Sequence, residues 1–94
     1  MVQINRGKIM TKREYLESIG YDHYYINGYH KIIKFNDSDF YIHAYIFNHS
    51  FTHDSEYQFY LEPTYIRTQK DIDNLQIAFN NVRRDFEEMQ KYGD

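Results

Sequence analysis

The chain has no cysteine. That excludes a disulfide framework, a thiolate nucleophile and any zinc site built on thiolates. Glycine is scarce and scattered, at Gly7, Gly20, Gly28 and Gly93, so no glycine-rich loop can cradle a phosphate. No apolar run approaches the ~20 residues that cross a bilayer, and the first ten residues lack the apolar core of a signal peptide. These absences predict a soluble protein at home in a reducing cytoplasm, without a membrane partner. An excess of basic charge is missing as well. The formal net charge of −3 argues against direct binding to nucleic-acid phosphates, which draws on surplus Lys and Arg.

Catalytic constellations are equally thin. Ser18, Ser38, Ser50 and Ser55 fall in caps and turns, without the strand-turn-helix setting of a nucleophile elbow. Carboxylate pairs at Asp37/Asp39, Asp71/Asp73 and Glu87/Glu88 read as one turn and two solvated helix surfaces. His49, His53 and Asp54 are spaced to ligate a metal only from a helix, and their polar surroundings predict a loop. The expectation is a protein that is not an enzyme and holds neither metal nor cofactor.

Aromatic residues are abundant: 19% of the chain, eleven of them tyrosine. A chain of 94 residues buries roughly 60 to 70% of its unfolded surface in one thin core, which cannot absorb side chains of ~150 to 250 Å² each in such number. Some must lie at the surface.

Residues 1–10 read as a leader, with Met10 a candidate second start, and 11–94 as a single α+β domain. Thr11 with Glu14 forms a capping box, opening a short helix that Gly20 stops. Asn27-Gly28 between aromatic and β-branched runs predicts a tight hairpin with a type I′ turn. Strands are expected over 29–35, 40–47 and 57–61, the last reaching toward Ile66, with Pro63 marking an edge, a bulge or the strand's end. Residues 48–56 form a polar loop. Thr68 and Asp71 cap a long helix, whose Ile72, Leu75, Phe79, Val82, Phe86 and Met89 fall on one stripe before Gly93 ends it. The expected architecture is a three- to four-stranded antiparallel meander, with this helix packed on one face.

Side chains alternate across a strand. Ile33, Phe35, Phe40, Ile42, Ala44, Ile46, Tyr57, Phe59 and Leu61 should therefore meet the helix. The opposite set holds His30, Ile32, Lys34, Tyr41, His43, Tyr45, Phe47, Gln58, Tyr60 and Glu62. Tyrosine supplies rigid contact area with a hydrogen-bonding tip. The candidate partner-binding residues are accordingly Tyr41, His43, Tyr45, Tyr60 and His30, joined by His49 and His53 of the loop and by Ile77 on the outer face of the helix. A single-stranded nucleic-acid platform would use a similar aromatic sheet, but the RNP pattern is missing. The sheet edge and the helix are candidate homodimer surfaces.

The series Thr68-Gln69-Lys70-Asp71-Ile72-Asp73-Asn74-Leu75, with Ala78-Phe79-Asn80 and Asp85-Phe86, resembles the terminal helices of small accessory proteins from bacteriophages and prophages of Gram-positive bacteria. That likeness covers about a third of the chain. It implies a stoichiometric inhibitor of a host defence enzyme, of the anti-CRISPR kind, with an RNA-guided nuclease as the first candidate partner.

Overall fold

The computed structural model describes residues 10–36, 38–49 and 56–93. Residues 1–9 of the expected leader lie outside them. Thr11 caps α1 (Lys12–Ser18): its hydroxyl accepts from the Glu14 amide at 3.1 Å, and the Glu14 carboxylate accepts from the Thr11 amide at 2.9 Å. The helix stops at Gly20, whose φ of 103° is open to glycine and costly for any residue with a Cβ. Four strands follow, β1 (Asp22–Tyr24), β2 (Gly28–Lys34), β3 (Tyr41–His49) and β4 (Glu56–Pro63), then α2 (Gln69–Met89). They form one antiparallel sheet in chain order, the meander expected. Pro63 is the last residue of β4, an outer strand, where a missing N–H costs least.

The parity of the strands places the core as the alternation predicts. Phe40, Ile42, Ala44 and Ile46 are fully buried beneath α2, with Ile33, Phe35, Tyr57, Phe59 and Leu61 packed around them. Leu16 of α1 and Tyr21 close one end of this layer against Val82 and Met89.

Three local expectations are corrected. The hairpin turn is not Asn27-Gly28 in type I′ geometry. It is the three-residue loop Tyr25-Ile26-Asn27, with the positive φ at Tyr25 (56°) and Gly28 already paired with Tyr24. Asn27 instead continues the ladder: its carbonyl accepts from the Asn48 amide at 2.8 Å, and its side-chain amide donates to the Asn48 carbonyl at 2.9 Å.

The apolar stripe of α2 is only half inward. Val82 and Met89 are buried, whereas Ile72 and Phe79 are exposed and Asp71, Asn74 and Ala78 face inward in the first half. Alternating three- and four-residue spacing drifts by ~20° per heptad on a straight helix. The cap also turns the first turn inward, because the Asp71 carboxylate accepts from the amides of Arg67 (2.9 Å) and Thr68 (3.3 Å). Asn74 is buried with its Nδ2 unpartnered.

Gly93 is not the helix stop. Helical geometry ends at Gln90, and Gly93 bridges Thr11, its carbonyl accepting from the Lys12 amide at 2.8 Å. Tyr92 stacks on Tyr15 in the same closure (centroids 5.0 Å apart).

A half-buried polar knot fixes α2 over the sheet. The Tyr21 hydroxyl donates to Asp85 Oδ2 at 3.0 Å, and Lys31 Nζ lies 3.6 Å from the same oxygen while donating to the Ile19 carbonyl. Burial, then the Asp85 charge, pushes the Tyr21 phenol well above its ordinary range. It stays a neutral donor at any pH the fold meets.

Candidate functional site

The sheet face turned away from α2 is a grid set by strand register. Its rows run Tyr24, Gly28, Phe47 and Gln58; Asp22, His30, Tyr45 and Tyr60; Ile32, His43 and Glu62; then Lys34 beside Tyr41. Opposite residues on one face lie ~4.5 to 5.5 Å apart at Cβ, so rings in neighbouring positions must touch. Tyr45 is the hub. Its ring stacks on Tyr60 (4.8 Å between centroids) and Phe47 (5.9 Å), and meets His30 (5.0 Å) and Tyr24 (5.3 Å).

Gly28 makes this closeness feasible. A Cβ there would lie 2.8 Å from the Phe47 ring and 2.9 Å from the Tyr24 carbonyl oxygen. The empty position in the first row is where the Phe47 ring comes to rest.

Exposure then divides the candidate residues. Tyr60 is 49% exposed and Tyr41 37%, so both present ring and hydroxyl outward. Tyr45, expected among the residues free to meet another molecule, is only 8% exposed. No helix or loop among the described residues seals it; the surrounding rings do. It supports the surface rather than forming it. His30 and His43 are half-buried side by side, with His30 Nε2 and His43 Nδ1 sharing a hydrogen bond of 2.8 Å in which one ring donates and the other accepts.

The remaining candidates scatter. His49 ends β3 opposite Glu56, and His53 lies outside the described residues, as do 50–55 of the expected loop. Ile77 is exposed, but on α2, behind the opposite face of the sheet, where it cannot share a flat contact surface with the tyrosines. Two residues escaped sequence reasoning. Tyr25 and Ile26, read only as part of the run flanking the expected turn, form the hairpin tip, and at 76% and 90% exposed they extend the aromatic face at its edge. The signal available was the aromatic pair Tyr24-Tyr25, whose rings meet edge-on at 4.5 Å.

Electrostatically the face is quiet. Burial, then the neighbouring His43, lowers the His30 pKa below 6.5 against an opposing pull from Asp22, so its ring is neutral at pH 7. Burial and the Glu62 carboxylate, which accepts from the Tyr45 hydroxyl at 3.3 Å, push that phenol up to about 12. Among the described residues Asp22, Glu56, Glu62 and Lys34 carry the charge, an acidic balance that repels phosphates.

A lowered folded-state pKa means that the unfolded chain binds the His30 proton more readily. Stability is full above the unfolded value of 6.5 and falls as pH drops from there through the folded-state pKa. The expected result is a lower urea midpoint at pH 5.5 than at pH 7.5, with part of the difference removed by His30→Gln. An NMR titration midpoint for His30 at or above 6.5 would contradict this account.

Among the described residues no three His, Asp or Glu side chains are placed to hold a metal. What the arrangement can do is stack and hydrogen-bond across a wide surface. No family model matches the chain, and neither curated proteins nor solved structures contain a significant match to it.

Proposed function

We propose that the chain is a protein-binding module that uses the open aromatic sheet face, bounded by Tyr41, Tyr60 and the Tyr25-Ile26 hairpin tip, to cover a working surface of a larger protein. The observation that carries this reading is the combination of a buried hub with exposed flanking rings. Tyr45 is held by five ring neighbours, of which Tyr60 is exposed, and the exposed Tyr41 stands against His43, the next ring along the strand. Pre-organised tyrosines lose little entropy on binding, which is how interface hot spots gain affinity. The acidic balance of the face favours a protein surface with basic character over a bare phosphate backbone. The resemblance of α2 to phage accessory proteins adds the finer proposal: the module inhibits a host defence enzyme stoichiometrically, an RNA-guided nuclease being the first to try.

Pull-down from lysates of Gram-positive bacteria, followed by mass spectrometry and titration of the recovered protein, tests the reading. Tyr41→Ala should weaken that binding by at least about tenfold with little change in thermal midpoint, and nuclease cleavage should fall in proportion to the wild-type chain added. Recovery of nucleic acid alone, with affinity falling steeply as salt rises, would replace protein binding with the single-strand reading.

A further inference from the structure

The sheet has two unlike edges. β1 is three residues long, whereas β4 runs for eight, and no strand pairs with its outer side among the described residues. Long open edges are templates for another strand. Which backbone groups face outward follows from one bond. The Thr64 amide donates to the Tyr41 carbonyl at 3.1 Å, so even-numbered residues of β4 turn their backbone groups toward β3 and odd-numbered ones turn them out. Phe59 and Leu61 therefore present both N–H and C=O at the free edge, and Pro63 presents a carbonyl alone.

Beside this edge, between β4 and α2, lies a cleft of about 530 Å³ lined by Phe59, Leu61, Pro63, Leu75 and Phe79 among others. Phe79 is 45% exposed there, with its ring 5.7 Å from that of Phe59. The edge thus offers main-chain pairing and an apolar shelf on one side of the sheet.

We infer that a second copy of this chain occupies the edge, the two β4 strands pairing antiparallel about a twofold axis at Tyr60 to make one eight-stranded sheet. Self-complementarity selects this occupant. The helix-side residues of β4 are Tyr57, Phe59, Leu61 and Pro63, an apolar series that supplies to its twin what its own cleft requires. Charge and backbone donors select the register: an axis at Leu61 would set Phe59 against Pro63, which has no N–H to give. An axis at Phe59 would set Glu56 of one copy against Glu62 of the other, and like charges directly opposite are unfavourable. An axis at Tyr60 sets Gln58 against Glu62, Phe59 against Leu61 and Tyr60 against its own twin. In that register Phe59 and Leu61 exchange backbone hydrogen bonds at both symmetric positions, and the exposed Phe79 rings of the two helices approach the junction. The pairing is edgewise, so it leaves the tyrosine face open and doubles its width. It stands independently of the function proposed for that face.

Sedimentation equilibrium of the full chain over a range of concentrations tests the inference. The expected result is a concentration-dependent rise from 11.6 kDa to twice that mass. Gln58 is exposed and outside the core, so its variants fold, and the register predicts opposite signs for them. Gln58→Lys, facing Glu62 twice in the dimer, should tighten association about three- to tenfold, and Gln58→Glu should weaken it by a similar factor. Phe79→Asp should abolish it. A chain monomeric at millimolar concentration would overturn the inference, as would a dimer that responds alike to both Gln58 variants. So would Phe59 and Leu61 amides that shift only when a different protein is added, which would assign the edge to a foreign strand.

Discussion

Replacing Tyr45 with alanine is expected to lower the stability of the fold by about 3 to 5 kcal/mol, the range for truncating a buried aromatic side chain. For a domain of this size that is a fall of about 12 °C or more in thermal midpoint. The expectation is notable because Tyr45 lies on the face without a helix, where truncation ordinarily costs little. Its burial comes from Tyr24, His30, His43, Phe47 and Tyr60, whose rings lie 4.8 to 6.2 Å away, so alanine would leave five rings facing a void. Tyr45→Phe separates the contributions. It keeps the ring and removes only the 3.3 Å hydrogen bond to Glu62, a loss of about 0.5 to 1.5 kcal/mol. If alanine and phenylalanine cost the same in chemical denaturation, packing in the second layer is not what holds this residue. Tyr41→Ala and Tyr60→Ala should cost far less, since both rings are already partly in water.

Gly28→Ala is the second large effect, and its sign is the informative part. At a strand position with ordinary negative φ, exchanging glycine for alanine usually stabilises by roughly 0.5 to 1 kcal/mol, because the unfolded chain loses freedom. Gly28 has no left-handed backbone to protect, as Gly20 is the only glycine with positive φ among the described residues. The added Cβ would nevertheless meet the Phe47 ring at 2.8 Å and the Tyr24 carbonyl at 2.9 Å. A ring can tilt away, but a carbonyl moves only with its strand. We therefore expect destabilisation of about 1 to 3 kcal/mol, typical of overpacking, measured by urea titration. In a Phe47→Leu background the penalty should shrink without vanishing, since the backbone clash remains. A neutral or stabilising Gly28→Ala would mean that the hairpin shifts freely and that the aromatic grid is not held by this close approach.

The two substitutions bear on function through the same geometry. Gly28 lets Phe47 lie down, Phe47 and Tyr24 close over Tyr45, and Tyr45 in turn steadies Tyr60 at the outer rim. A recognition surface built in this way loses order from beneath. Hub variants should reduce binding together with stability, whereas a rim variant outside the stack, such as Tyr41→Ala, should reduce binding alone.

Much of the architecture was legible from local pattern. Both helix caps, the antiparallel meander, the inward set Phe40, Ile42, Ala44 and Ile46, and the open face around Tyr41 and Tyr60 follow from hydroxyl and carboxylate spacing and from the two-residue alternation of a strand. These are signals carried by neighbours in the chain. The errors fall where distant residues compete for one space. Asn27-Gly28 looks like a tight turn, yet the glycine serves Phe47 from a strand away and Asn27 serves Asn48, so the turn shifts to Tyr25. The α2 stripe looks continuous, yet the sheet accepts only Ala78, Val82 and Met89 fully, and leaves Ile72 and Phe79 at the edge.

The residue sequence by itself determined which side chains share a face, because alternation and helical period depend only on backbone geometry. Tertiary structure alone decided which of them meet water. Exposure depends on what lies across the sheet and beside the edge, and Tyr45 and Phe79 exchange their expected roles for that reason: one is enclosed by the rings of its neighbours, and the other lines an open cleft beside β4.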